Sequence, residues 1–485
     1  MNKLTSFILL SVTALFCSCS TDTYYEKSIR FPEGATLEEK VELASYVIPT
    51  QKQLKWQSLE LTAFLHFGIN TFTGNEWGDG TDSPELFNPS ELDCRQWAKA
   101  LKDGGFKMAI LTAKHHDGFC LWQTETTEYS VKNSPWKDGK GDVVRELSEA
   151  CAEFGLEFGV YISPWDRNAE CYGDSPAYNQ LYIDQLTELL TRYGKISEVW
   201  FDGANGEGPN GKVQVYDWEA ILATIKKYQP DAVTAIMGND VRWVGNEGGL
   251  GRETEWSVTA CGPESEKETE AQRRRLGLSG QSADLGSRSI LAQADEVYWY
   301  PSEVDVSIRP GWFYHPYEDT RVRSVENLVD IYFQSVGRNS VLLLNIPPDT
   351  RGLLHEVDVQ RLADLRRYID KTFDENLIKS KEWKAGNGVS KEFKVRKNEE
   401  FDTFLISEDI SKGQRVEGFT VEVLTDGEWN KIAEGTTIGY KRLLRFQPVK
   451  ADRIRVTITS TRNTTNISSV GLFRTPGEGF QPSIL

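Results

Sequence analysis

The chain has 485 residues, 39% of them hydrophobic and 26% charged, proportions that exclude a polytopic membrane protein and a long disordered polymer. Lys and Arg number 55 against 72 Asp and Glu, a formal net charge of −17; such a field repels phosphate backbones and anionic lipid and argues against nucleic acid as a partner. Its 7 cysteines show neither a CxxC pair nor zinc-ribbon spacing, which gives no sign of a disulfide framework or a cysteine metal site.

Met1-Asn2-Lys3 and the apolar run Phe7 to Phe16 read as an export signal, too short to span a bilayer. The run closes on Phe16-Cys17-Ser18-Cys19-Ser20, with a small residue directly before Cys19 as in a bacterial lipoprotein signal. Cys19 is therefore the expected lipidation site, because Phe16 would be a poor residue at a cleavage point before Cys17. Residues 1–19 are read as the signal and 20–44 as a linker. The protein is expected in the periplasm or at the cell surface, touching membrane only through a lipid anchor; plain secretion is the simpler alternative.

Residues 45–374 alternate short β-rich runs with amphipathic stretches, the order of a parallel sheet with crossover helices. Ala63 to Leu65, Met108 to Leu111, Phe158 to Ile162, Val199 to Phe201, Val233 to Ile236 and Val341 to Leu344 read as buried strands. Cys94 to Asp103, Val143 to Phe154 and Tyr178 to Tyr193 read as helices, closed by Gly104, Gly155 and Gly194. A (β/α)8-like barrel is the fold expected, although strands six and seven find no clear place between Glu253 and Ser307. Residues 375–485 carry short alternating runs such as Phe419 to Val423 and Arg453 to Ile458, with Asp426-Gly427 as a hairpin turn, the pattern of a C-terminal antiparallel β-sandwich.

Chemistry in such barrels sits at the carboxyl ends of the strands, and here nearly every run ends in polar groups. They are His66, Lys114-His115-His116-Asp117, Ser163-Pro164-Trp165-Asp166, Asp202, Asn239 with Arg242, and Asn345. Of only 5 histidines, three fall at the ends of the first two strands. Adjacent His115 and His116 would point to opposite sides of a strand, and neither His-x-His nor HExxH occurs, so no metal is expected. Asp202, closing Trp200-Phe201-Asp202-Gly203, puts a carboxylate in the barrel mouth or else caps a turn. Glycoside hydrolysis would need a second carboxyl; Glu247, in the Gly-rich loop after the fifth strand, competes with Glu253, Glu255 and Glu303.

His66-Phe67-Gly68, Glu76-Trp77, Lys114 to Phe119, Tyr161 to Asp166 and Trp200 to Gly203 together resemble the α-L-fucosidases of glycoside hydrolase family 29, in the family's order over about residues 45 to 370. The resemblance implies a retaining hydrolase without cofactor, with Asp202 as nucleophile and Glu247, in a region that varies among subgroups, as acid/base. It implies that His66, Glu76, Trp77, His115 and His116 bind fucose and that Tyr161, Trp200 and Trp312 line the pocket. Arg242 belongs to the same substrate-binding set. The motifs Arg242 to Glu247, Asp202 to Gly208 and Ile308 to His315 resemble the subgroup that removes α-1,3- and α-1,4-linked fucose from branched glycans. A fucoside is neutral with one apolar face, so neutral imidazole donors and the faces among 14 Trp suit it. The competing functions are a surface glycan-binding lipoprotein that does not cleave, and a metal-dependent hydrolase of amides or esters.

Overall fold

The computed structural model describes residues 26–262, 266–396, 399–477 and 480; the leader and Cys19 lie outside them. Eight strands build one sheet: Leu61–Leu65 (β1), Met108–Lys114 (β2), Glu157–Ile162 (β3), Glu198–Trp200 (β4), Val233–Ala235 (β5), Arg242–Trp243 (β6), Ser302–Ser307 (β7) and Val341–Asn345 (β8). They pair in the order β5-β4-β3-β2-β1-β8-β7-β6, every ladder parallel. A parallel bridge from Ala235 to Val241 brings the two edges together into a nearly closed barrel.

Both faces of this sheet are covered, so β1, β2 and β8 are buried at every position. The period-2 alternation of a strand divides them between two cores. Phe64, Ile110, Tyr161, Trp200 and Leu343 point inward to a cluster floored by Trp56, while Leu65, Leu111, Val160, Val199 and Leu344 pack outward under the helices. Those helices are fixed by local chemistry. Asp93 and Asp142 accept backbone N–H groups at the starts of Cys94–Asp103 and Val143–Phe154, each cap contributing about 1 kcal/mol.

The departures from a regular eightfold alternation explain why strands six and seven were not assignable. Between β5 and β6 the described chain turns without a helix. From β6 to β7 it makes a long excursion that includes the helix Glu266–Leu276 and the short strands Val258–Thr259 and Glu296–Trp299. The stretch read as a linker is, from residue 26 on, part of this unit. Ser28–Arg30 pairs antiparallel with Glu296 to Tyr298, and helix Leu37–Ala44 buries Val41 and Ala44.

After helix Glu356–Phe373, two four-stranded antiparallel sheets face each other. One orders Trp383–Ala385, Thr465–Phe473, Glu400–Glu408 and Arg442–Lys450; the other orders Val389–Lys394, Arg453–Thr461, Val416–Thr425 and Glu428–Gly435. Phe404, Phe419, Val421, Ile454 and Ile467 fill the space between. Asp426 and Gly427 take φ of 54° and 84°, the left-handed pair that a tight hairpin requires.

Candidate active site

At the carboxyl ends of the strands one pocket gathers Asp202 and Glu247 with His66, Glu76, Trp77, His115, His116, Trp200 and Trp312, and adds Phe64 and Asp305. Asp202 lies two residues past the end of β4, after the buried Phe201. Its Oδ1 accepts the Ala204 N–H at 2.7 Å and its Oδ2 the Tyr161 hydroxyl at 3.3 Å, so the carboxylate is held on two sides. Tyr161 is fully buried and stands behind the pocket wall as Asp202's support, stacked against Trp200 at 5.3 Å and His115 at 5.6 Å.

His115 and His116 both face the pocket, with ring centroids 4.2 Å apart, contrary to the opposite orientation expected of strand neighbours. The reason is that β2 ends at Lys114 and the chain is already turning, with the Gly118 N–H bonded to the His115 carbonyl. Burial lowers the affinity of all three imidazoles for a second proton, His66 to about 3, so they are neutral.

The hydrogen-bond network assigns two tautomers. Asn345 spends its amide hydrogens on Ser307 Oγ at 2.9 Å and the Trp312 carbonyl at 2.8 Å, which turns its Oδ1 to His66 Nδ1 at 2.8 Å. His66 therefore carries its proton on Nδ1. Ser163 Oγ donates to the Trp165 carbonyl at 2.7 Å and so accepts from His116 Nδ1 at 2.7 Å. In both rings Nε2 is bare, so each can accept a hydrogen bond from a ligand in the pocket, where the sequence reading expected donors. For His116 that atom lies 3.8 Å from Asp202 Oδ2, and neither can donate to the other.

A test follows from the small number of histidines. Nitrogen-15 spectra of histidine-labelled protein at neutral pH should show His66 as the Nδ1–H tautomer. Asn345→Asp should raise its pKa, convert bare Nε2 toward a donor, and weaken fucose binding about tenfold, the worth of one hydrogen bond of about 1.4 kcal/mol. An Nε2–H signal for wild-type His66 would overturn the assignment.

Glu76 ties two segments together. Its carboxylate accepts the Trp312 N–H at 2.8 Å and His315 Nε2–H at 2.7 Å, fixing the turn that sets Trp312 5.1 Å from the His66 ring. Trp77 is 56% exposed and meets His116 and Trp165 edge-on at 5.3 and 5.7 Å, leaving an aromatic face at the rim. Trp200 forms the floor, its Nε1 donating to Glu303 at 2.8 Å.

Of the four glutamates in competition, only Glu247 lines the pocket. Its loop begins at Gly245, whose φ of 103° and closeness to the Gly280 carbonyl leave no room for a Cβ. Desolvation and, less strongly, the charge of Asp202 raise the Glu247 pKa, while a hydrogen bond from Trp312 opposes them. Glu253 is held by Arg338 and Arg442 and Glu255 by Arg242 and Arg252. Glu303 lies inside the barrel, hydrogen-bonded to Glu198, and burial pushes both carboxyls up.

Arg242 does not join the pocket. Its guanidinium is buried, donating to Glu255, the Trp256 carbonyl at 3.0 Å and the Tyr300 carbonyl at 2.9 Å; β6 turns its neighbour Trp243 toward the site instead. Asp305, which the sequence reading missed, accepts Trp243 Nε1–H at 2.8 Å. Burial first, then the charges of Glu247 and Asp202, push it up to about 7. The site thus holds four carboxyls of different character, Glu76, Asp202, Glu247 and Asp305, beside neutral imidazoles and tryptophan faces.

Known proteins resemble this chain along most of its length. A family model described as alpha-L-fucosidase matches residues 51–374. Alpha-L-fucosidase 1 of Arabidopsis thaliana is 40% identical over 460 residues, spanning 88% of this chain and 87% of the plant protein. A crystal structure from Bacteroides ovatus, described as a candidate alpha-L-fucosidase, superposes with a TM-score of 0.92 at 58% identity, covering 95% of this chain and 80% of that one. A Ruminococcus gnavus GH29 fucosidase in complex with fucose gives a TM-score of 0.78 at 31% identity, covering 90% of this chain and 96% of the other. Matched on sequence over two thirds of its length and on fold over nearly all of it, the chain belongs to the α-L-fucosidases of glycoside hydrolase family 29.

Proposed function

We propose that this protein is a retaining, exo-acting α-L-fucosidase that removes terminal α-1,3- or α-1,4-linked fucose from branched glycans, with Asp202 as nucleophile and Glu247 as acid/base. The observation that carries the reading is the convergence of Asp202 and Glu247 on one pocket walled by His66, His115, His116 and Trp312. Binding alone needs no such pair of carboxyls, which disfavours a non-catalytic glycan-binding lipoprotein.

In the first step the Glu247 carboxylic acid gives its proton to the departing glycosidic oxygen while Asp202 attacks the anomeric carbon. Desolvation, which raises the Glu247 pKa, favours the protonated form this step requires. The bonds from Ala204 N–H and Tyr161 hold Asp202 in place for attack, and the bare Nε2 atoms of His66 and His116 accept ring hydroxyls. In the second step Glu247, now a carboxylate, takes a proton from water, which releases fucose and restores Asp202.

The linkage assignment rests on the Arg242 to Glu247 and Ile308 to His315 motifs, with Trp77 at the rim as a surface for a second sugar. The lipoprotein signal ending at Cys19 supports export and a lipid anchor. Proton NMR of the first-formed product tests reaction and linkage together. A Lewis-type branched trisaccharide should release α-fucose rapidly, and 2-linked fucosyllactose should react far more slowly. Initial β-fucose would mark an inverting enzyme, with carboxyls spaced for an intervening water at about 6.5–9.5 Å, and preference for the 2-linked sugar would refute the linkage.

A further inference from the structure

The loop that carries Glu247 has little to hold it from within. Asn246 bonds the Leu250 carbonyl at 2.9 Å and the Gly248 N–H at 3.0 Å, and Glu247, Gly248 and Leu250 are exposed. Outside the loop, Trp312 bonds Glu247 and the Gly251 backbone bonds the Gln334 carbonyl at 2.7 Å and Arg338 at 3.0 Å; the two stems, by contrast, both reach one carboxylate. Arg242 on the incoming side donates to Glu255. On the outgoing side the Arg252 N–H donates to Glu255 Oε2 at 3.2 Å.

Glu255 is in turn gripped by the C-terminal sandwich. Its N–H donates to Thr437 Oγ1 at 3.0 Å and its carbonyl accepts from Gln414 Nε2 at 2.9 Å. The same Gln414 accepts the Ser257 N–H at 2.7 Å. Two residues earlier, the Glu253 carbonyl accepts from Thr436 Oγ1 at 3.0 Å and from Arg442 at 2.7 Å. The Arg462 guanidinium lies 3.6 Å over the Trp256 ring. Glu255, Thr437 and Gln414 are all 1% exposed or less, so these bonds are made away from competing water and hold their geometry.

We infer that the sandwich is the mounting of the acid/base: by clamping Glu253 to Ser257 through Gln414, Thr437 and Arg442, it positions the Glu247 loop over the barrel mouth. Mere adhesion between the two domains has no need to converge on the segment that closes this loop. Gln414 and Thr437 are positioning residues that act through Glu255, and Arg442 is one that acts through Glu253. The inference rests on Glu247 being the acid/base.

Its signature is selective. A displaced acid costs most when the leaving group is a sugar alkoxide and least when it is an activated phenolate that departs unaided. In the full-length protein, Thr437→Val, which keeps the buried volume, and Gln414→Leu should each lower kcat about tenfold or more on a fucosylated oligosaccharide. On an activated aryl fucoside kcat/KM, which reports the first step, should stay within about twofold, while kcat and KM fall together as base-assisted release from the fucosyl-enzyme slows. Thr437→Ser, which keeps the hydroxyl, should restore the oligosaccharide activity. Glu247→Gln is the reference. If it shows the selective loss while the clamp variants lose both substrates equally, or neither, the clamp is overturned and the acid/base reading stands. Should Glu247→Gln itself show no selectivity, that reading falls, and the inference with it.

Discussion

Asp202→Asn should bind fucose and turn over almost none. The substitution fits the site as it stands. An amide oxygen can still accept the Ala204 N–H that Asp202 Oδ1 accepts at 2.7 Å, and the amide nitrogen can donate to the bare Nε2 of His116, 3.8 Å from Oδ2 in the native chain. The Tyr161 hydroxyl keeps an acceptor in the same place only if it turns to the amide oxygen, a small local cost. What is lost is the negative charge that, in the proposed mechanism, attacks the anomeric carbon and stabilises an oxocarbenium-like transition state. Removing a covalent nucleophile costs on the order of 10³-fold or more in kcat, roughly 4 kcal/mol of transition-state stabilisation. Calorimetric binding of fucose, unchanged melting and a collapse of kcat on every substrate, activated or not, are the expected results together. Near-native turnover would remove Asp202 from the nucleophile's role.

How much of this was legible in the sequence depended on which way each strand's apolar face pointed. β1, β2, β3 and β8 are apolar on both faces and were read directly. β7 was not, because its inward face is Glu303, Asp305 and Ser307 while Val304 and Val306 turn outward; a barrel strand with a polar interior looks like a loop. β6 has only two residues, too few for any periodicity to register. Asp305 was missed for the same reason as its strand, although the alternation Ser-Glu-Val-Asp-Val-Ser was the available signal.

The pocket itself was more legible than the roles within it. Residue type and strand position bring His66, His115, His116 and Asp202 together, since all close strands recognisable by pattern; Trp200 enters through the resemblance alone. Arg242 was misread because a cation near the barrel mouth is satisfied equally well by a buried glutamate, and the partner, Glu255, lies 13 positions further on with no local cue. The direction of the histidine hydrogen bonds could not be read at all. It is set by Asn345, 279 residues from His66, and by the carbonyl that Ser163 has already engaged.

The Glu247 variants should separate substrates by their leaving groups. Glu247 is the pocket's exposed-loop carboxyl, and its pKa is raised chiefly by desolvation with help from Asp202. That direction favours the protonated form, which the proposed first step needs in order to give a proton to the leaving oxygen. When that oxygen belongs to a sugar, whose alkoxide is a poor leaving group, proton transfer supplies roughly 10²–10⁴-fold of the rate. When it belongs to an activated phenol, departure is nearly unaided. Glu247→Ala should thus lose about that factor on an oligosaccharide and much less on the aryl fucoside, whose second step becomes limiting for want of a base. Azide, which needs no base, should then attack the fucosyl-Asp202 intermediate and restore part of the aryl fucoside turnover. The opposite result is equally informative, because Glu253 and Glu255 are neutralised by arginines and Glu303 is sealed below Trp200. Azide rescue at one of those three, with none at Glu247, would mean that the loop moves farther than its Glu255-anchored stems allow, and would move the acid/base to that residue while leaving Asp202 in its role.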